Sequence, residues 1–236
     1  MSSKPVDVFI ASILRDGWAV TPPVVPPPLL ASTAESLAGA VTDPLRGGAR
    51  NLLDLPAATE LARCDAVRAV AESVLGRGCF AVRGLLFDKR PGANWKVPWH
   101  QDLTIAVREQ REVEGFGPWS VKAGVTHVQA PPAVLEQMLA VRIHLDDCGA
   151  DNGPLRLISG THTVGVLRPP AIDELVATYG AEVGVAVAGS ILAFRPLLLH
   201  ASSAAATPSH RRVVHLDFAA CELPGGLDWR WRVGVD

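Results

Sequence analysis

Apolar and polar residues along the chain follow two rhythms, and the change falls near residue 79. In Ala57–Leu75 the apolar positions Leu61, Cys64, Val67, Val70 and Val74 recur every three or four residues, which gathers them on one helical face. Pro56 suits the start of that helix and Gly76 its end. A second helix is predicted over Val6–Arg15, stopped by Gly17. Between them Pro22–Pro28 is expected to be extended, because each proline fixes its own φ and restricts its predecessor. From Cys79 onward, short apolar segments are separated by turn residues. Cys79–Phe87, Met138–Asp146, Pro154–Ile158, Glu182–Ala188, Ser190–Phe194 and Val213–Ala220 are predicted strands. Asp151-Asn152-Gly153-Pro154 is a turn signal between two of them. One short helix is expected at Ala171–Tyr179.

Many short strands behind a helical preface predict a mainly β fold with flanking helices, a double-sheet jelly roll. The expected organisation is a single domain over 1–236, with a mainly helical preface at 1–78 and the jelly-roll core at 79–221. Residues 104–132 lack a clear period and are long for a connector, which suggests a lid or binding loop.

Composition narrows the function classes. With 48% hydrophobic residues in 236, the chain can bury a sizeable core. A formal charge of −2 argues against a general nucleic-acid binder. The apolar run Val183–Phe194 is too short to span a bilayer, and Met1–Trp18 does not read as a secretory signal. Cys64, Cys79, Cys148 and Cys221 are scattered, without a C-x-x-C pair, as expected of reduced thiols in a cytoplasmic protein. The expected partner is a small-molecule substrate, with no nucleic acid and no membrane, for a monomer or homodimer.

All seven histidines lie between His100 and His215. Within Trp99-His100-Gln101-Asp102, an extended backbone projects His100 and Asp102 to the same side. Two imidazoles and one carboxylate on one face of an octahedral ion form the site of non-haem Fe(II) oxygenases. Alone, H-x-D also fits an exposed strand-end histidine and a turn-capping aspartate. Of the other histidines, His200 has the best setting for the third ligand: it follows an apolar run, begins a small-residue loop, and precedes Arg211 by eleven residues. A guanidinium there can grip a carboxylate through a two-pronged charged hydrogen bond.

At this point the chain resembles the phytanoyl-CoA dioxygenase family of Fe(II)/2-oxoglutarate oxygenases. The resemblance rests on Trp99-His100-Gln101-Asp102, Leu145-Asp146-Asp147, Asn152-Gly153-Pro154-Leu155, Ser159-Gly160-Thr161-His162, Gly189-Ser190, Leu199-His200-Ala201-Ser202 and Arg211-Arg212, in order from about Phe80 to Ala220. It implies a double-stranded β-helix and iron held by His100, Asp102 and His200. It further implies a 2-oxoglutarate co-substrate gripped by Arg211 and assisted by Ser202. The implied reaction consumes O2, releases succinate and CO2, and hydroxylates a C–H bond. Asp102 marks a hydroxylase rather than a halogenase, and the acyl-CoA substrate of the name-giving enzyme does not transfer.

Several residues keep two readings. Strand parity leaves Arg211 and Arg212 open, and the family offset selects Arg211. Arg142, His144 and Asp146 share one strand face, either solvated or lining a cavity. Lys96 and Trp95 either reach the site or sit in an ordinary loop. His127, Trp119 and Phe116 either meet substrate or fold onto the core, and His162 reads as structural. Two rival functions are a cupin-like metalloenzyme that does not use 2-oxoglutarate and a catalytically silent ligand-binding protein of the same fold.

Overall fold

In the computed structural model, which describes residues 3–41 and 47–234, the helices precede and cover the sheets. Helix α1 (Ser3–Asp16) leads into the short edge strand β1 (Trp18–Val20). The proline-rich stretch, expected to be extended, bends at Pro22, Pro23 and Val25, and Pro26 is extended. Pro27 and Pro28 instead open helix α2 (Pro27–Ser36), where a missing N–H and a preset φ do no harm. Strand β2 (Gly48–Ala49) follows. The single helix expected at Ala57–Leu75 is two, α3 (Pro56–Arg63) and α4 (Asp65–Leu75), because Cys64 takes an extended ψ of 131° between them.

The main strands match the apolar alternation. They are β3 (Phe80–Lys89), then, after β4 (Val97–His100), β5 (Thr104–Val107), β6 (Trp119–Lys122), β7 (Val125–Gln129) and helix α5 (Pro132–Leu135), β8 (Met138–His144). The chain continues through β9 (Leu155–Leu157), α6 (Pro169–Thr178), β10 (Glu182–Gly184), β11 (Ile191–Phe194), β12 (His200–Ser202) and β13 (Arg211–Ala219). The major sheet has the order β1-β11-β8-β13-β3-β2 and the minor sheet β10-β9-β12-β4. This is a mainly antiparallel jelly roll. Residues 104–132, expected as an aperiodic connector, hold a third sheet, β5-β7-β6. Its strands are only four or five residues long, too short to show a period.

Both faces of the major sheet are covered. Leu139, Val141, Ile143, Val214, Leu216 and Phe218 pack in one buried cluster with Ile13, Leu61, Val67 and Val70 of the helices. The opposite face meets the minor sheet, where Ala140, Leu192 and Phe194 pack with Leu155, Leu157 and Leu198. Alternation on β8 and β13 therefore separates a helix-facing apolar row from a cavity-facing polar row, and neither row is solvated. Arg142 and His144 are buried, which removes the solvated reading of that face. Among the described residues no helix is long and apolar enough to cross a membrane, and all four cysteines are unpaired.

One ion pair ties two neighbouring strands of the major sheet from inside. Arg83 of β3 lies opposite Asp217 of β13 and bonds its carboxylate through Nε, with both side chains buried. Burial alone would raise the Asp217 pKa, but Arg83 and then His215 outweigh it and hold it below the ordinary carboxylate value. A carboxylate held low stabilises the fold above its unfolded pKa and loses that contribution as pH falls through the folded value. Arg83→Met, which leaves a buried charge uncompensated, should cost about 3 kcal/mol at pH 7 in urea titrations. The gap from wild type should narrow below about pH 4, and a gap independent of pH would contradict the assignment.

Candidate metal centre and its cavity

The residues of the H-x-D motif and the distant His200 meet because β4 and β12 are neighbours. In the antiparallel register His100 stands directly opposite His200, and their ring centroids are 4.2 Å apart. Asp102 lies just past the end of β4, where its backbone N–H donates to the Pro196 carbonyl at 2.9 Å. Its two carboxylate oxygens lie 3.9 Å from His100 Nε2 and 3.7 Å from His200 Nε2. One ligand atom from each of the three residues falls within 4.8 Å of the others, close enough to hold one metal ion.

The tautomers suit that use. His100 Nδ1–H donates to the Pro98 carbonyl and His200 Nδ1–H to the Leu198 carbonyl, both at 2.9 Å. A carbonyl can only accept, so each Nδ1 carries a proton, which leaves Nε2, the ring nitrogen facing the carboxylate, as the position for a metal. Burial pulls the His200 pKa down to about 4, against the raising field of Asp102. Burial would raise Asp102, but His200 and then Arg83 draw it well below the carboxylate range. Two imidazoles and one carboxylate oxygen are a donor set for a divalent transition metal with vacant positions left over.

Gln101 points the other way. Its amide N–H groups donate to the carbonyls of Gly165 at 2.8 Å and Leu197 at 2.6 Å, and its carbonyl accepts from Leu167 N–H at 2.7 Å. The middle residue of the motif thus clamps the loops on which its neighbours depend. Phe194 supports the other side, its ring 4.6 Å from that of His200.

The three residues line a cavity of about 1180 Å³ that also contains Lys89, Arg142, Ser202, Arg211 and His215. Arg211 is 2% exposed and its Nε has no partner. Arg212 instead pairs with Asp146 through two hydrogen bonds of 2.8 and 2.7 Å, the rim role that parity left open. Ser202 Oγ accepts from Lys89 Nζ and lies 3.3 Å from the Gly153 carbonyl. Lys89 is the cross-strand partner of Arg211, and burial, then the fields of Arg211 and Arg142, lower its pKa to about 8. At Gly153, φ is +63° and an added Cβ would come within 2.8 Å of the Ser203 carbonyl oxygen, so the turn before β9 needs glycine on both counts.

Lys96 is exposed and does not line the cavity. The buried lysine there is Lys89, which the sequence reading missed because it ends a strand where a cation usually meets solvent. Arg83 was missed as a cavity residue, whereas Arg142, left open between a solvated face and a cavity, lines the cavity. Arg142 N–H lies 3.2 Å from His215 Nδ1, and His215 Nε2 lies 2.9 Å from Asp217, forming a polar wall beside the triad. His127 is buried and bonded to the Val125 carbonyl. Trp119 and Phe116 pack on a second apolar cluster, and His162 lies beside Gly17 and Leu198 rather than in the cavity.

Comparison with known proteins agrees with this geometry. The model of the family described as phytanoyl-CoA dioxygenase (PhyH) matches residues 30–213. L-proline trans-4-hydroxylase from Streptomyces griseoviridis is 28% identical over 184 residues, covering 66% of this chain and 60% of that protein, so the chain matches only about three fifths of that relative's length. EctD from S. alaskensis, solved with 2-oxoglutarate and 5-hydroxyectoine, is similar with a TM-score of 0.67 at 18% identity, over 93% of this chain and 76% of that one. The epimerase SnoN, solved with Fe3+, alpha ketoglutarate and nogalamycin RO, is similar with a TM-score of 0.67 at 16% identity, over 98% and 95%. At these identities the solved structures show the fold, and the family match decides the membership: the chain belongs to the phytanoyl-CoA dioxygenase (PhyH) family.

Proposed function

We propose that the protein is an Fe(II)- and 2-oxoglutarate-dependent oxygenase that hydroxylates an unactivated C–H bond of a small molecule, with release of succinate and CO2. The observation that carries this reading is one cavity lined by two opposed features. On the minor sheet are two Nε2 atoms and a carboxylate aimed at a common point. On the major sheet is a buried arginine whose Nε has no partner. His100, Asp102 and His200 would hold the iron, which when bound supplies dioxygen activation coupled to oxidative decarboxylation of the 2-oxo acid. A metalloenzyme that does not use 2-oxoglutarate has no need of the second feature.

The chain's own groups have separable tasks. Arg211, with Lys89 and Ser202 beside it, would bind the distal carboxylate of 2-oxoglutarate, replacing its water with fixed charged donors. Gln101 and Phe194 would keep the two imidazoles in place. The polar wall from Arg83 through Asp217 and His215 to Arg142 would hold the field around Asp102 constant, so that the carboxylate stays ionised. The solved structures named above support this reading through the ligands bound to them, 2-oxoglutarate for EctD and iron with alpha ketoglutarate for SnoN.

Asp102→Ala should abolish stoichiometric Fe(II) binding, measured anaerobically by equilibrium dialysis, while the thermal melt stays cooperative. Retained binding would defeat the ligand assignment. Arg211→Gln should leave Fe(II) binding intact and weaken 2-oxoglutarate at least about tenfold, as expected for losing a charged hydrogen bond. This is read from the weak visible band that forms when the 2-oxo acid chelates the iron. Absence of any such band in the wild-type protein would overturn the co-substrate.

A further inference from the structure

Cationic residues dominate the cavity wall. Arg50, Arg83, Lys89, Lys122, Arg142 and Arg211 line it, whereas among the described residues Asp102 is the one carboxylate that does. These cations fall into two groups by their mutual fields. Lys89, Arg142 and Arg211 act on one another, and this group is the one given to the co-substrate above. Arg50, Arg83 and Lys122 form the other. Within it Arg83 is committed to Asp217, while Arg50 and Lys122 make no ion pair among the described residues.

The backbone holds these two uncommitted cations together. Arg50 precedes Asn51, and Lys122 precedes Ala123. Asn51 and Ala123 are the two described non-glycine residues at positive φ, 60° and 50°, and Asn51 Nδ2 donates to the Ala123 carbonyl at 2.9 Å. Left-handed backbone is unfavourable for alanine, and such strain persists only where surrounding structure imposes it. Here the strained Ala123 lies next to Lys122, at the link joining the segment between β2 and α3 to the β6–β7 turn. Lys122 Nζ is also tied to Thr104 Oγ1 at 3.1 Å, two residues beyond Asp102. Partial desolvation and then the field of Arg83 lower both cations' pKa values, and Arg50 lowers that of Lys122 further, so like charges crowd this wall.

We propose, resting on the oxygenase reading, that Arg50 and Lys122 form a second oxyanion site in this cavity, which takes a carboxylate or phosphate group of the molecule to be oxidised. A planar guanidinium fork beside a point-charge ammonium matches such a group. The anion would relieve the repulsion between the two cations and fix the substrate relative to Asp102 through the Lys122–Thr104 tie. The site accounts for two features the iron chemistry leaves unused: an excess of positive charge larger than one co-substrate needs, and the strained backbone at Ala123.

The test uses calorimetric titration of inorganic phosphate and, separately, acetate into protein loaded with Mn(II) and 2-oxoglutarate, so that the Arg211 end is already filled. At least one of the two anions should bind saturably in the millimolar range usual for a single small ion. Which one binds distinguishes a phosphate-bearing from a carboxylate-bearing substrate. Arg50→Gln/Lys122→Gln should weaken that binding at least tenfold and leave the affinity for 2-oxoglutarate unchanged; neither residue is buried, so the variant should fold. No saturable binding to wild type, equal binding to the double variant, or an equal loss of 2-oxoglutarate affinity in it would each overturn the proposal. If wild type does not take up 2-oxoglutarate, the oxygenase reading fails instead. The second site is then tested by the same anion titrations of the Arg211→Gln and Arg50→Gln/Lys122→Gln proteins, and loss in the first alone overturns it.

Discussion

The pairing of β4 with β12 is the constraint on which the rest of the structure depends. A ladder two or three residues long places His100 opposite His200, and a register slip of one residue would turn one imidazole to the far face of the sheet. Short ladders slip easily, so the register has to be fixed from outside. Gln101 fixes it by holding the Gly165, Leu167 and Leu197 backbones. The Asp102 N–H fixes it by bonding Pro196, four residues before His200. The motif's middle residue and its neighbours therefore specify geometry as much as its outer residues supply ligands.

From that point the electrostatics follow. A sheet with helices on one face and a cavity on the other can keep charged groups in its interior row provided each has a partner or a ligand. Arg83 has Asp217, and Asp102 has the imidazoles and the field of Arg83. Arg211 has a sulfur neighbour, Cys148, but an Nε without any partner. Arg142 Nε is likewise without a partner, so two guanidinium groups on the cavity wall are left for an anion from outside to satisfy.

Much of this was legible in the sequence, for local reasons. The H-x-D spacing, the polar loop after His200 and the alternation in β3, β8 and β13 are short-range patterns that survive without knowledge of the fold. What stayed hidden was decided at long range. Polar residues on β8 read equally as solvated because a cavity and bulk water impose the same alternation. Lys89 ends a strand, where cations usually meet solvent, whereas here Gly153 and Ser202 close over it. The three strands between 104 and 129 are too short to show a period, and α2 was obscured by the prolines that start it. The segments that carry Arg50 and Lys122 are joined through the Asn51–Ala123 hydrogen bond, for which no local spacing exists.

Diffraction from crystals loaded anaerobically with Fe(II) and 2-oxoglutarate, recorded on both sides of the iron absorption edge, tests the central claim most directly. The account predicts a single anomalous peak bonded to His100 Nε2, His200 Nε2 and one Asp102 oxygen, with the bound 2-oxo acid reaching Arg211. A peak seated on other residues, or a ligand turned away from Arg211, would contradict it.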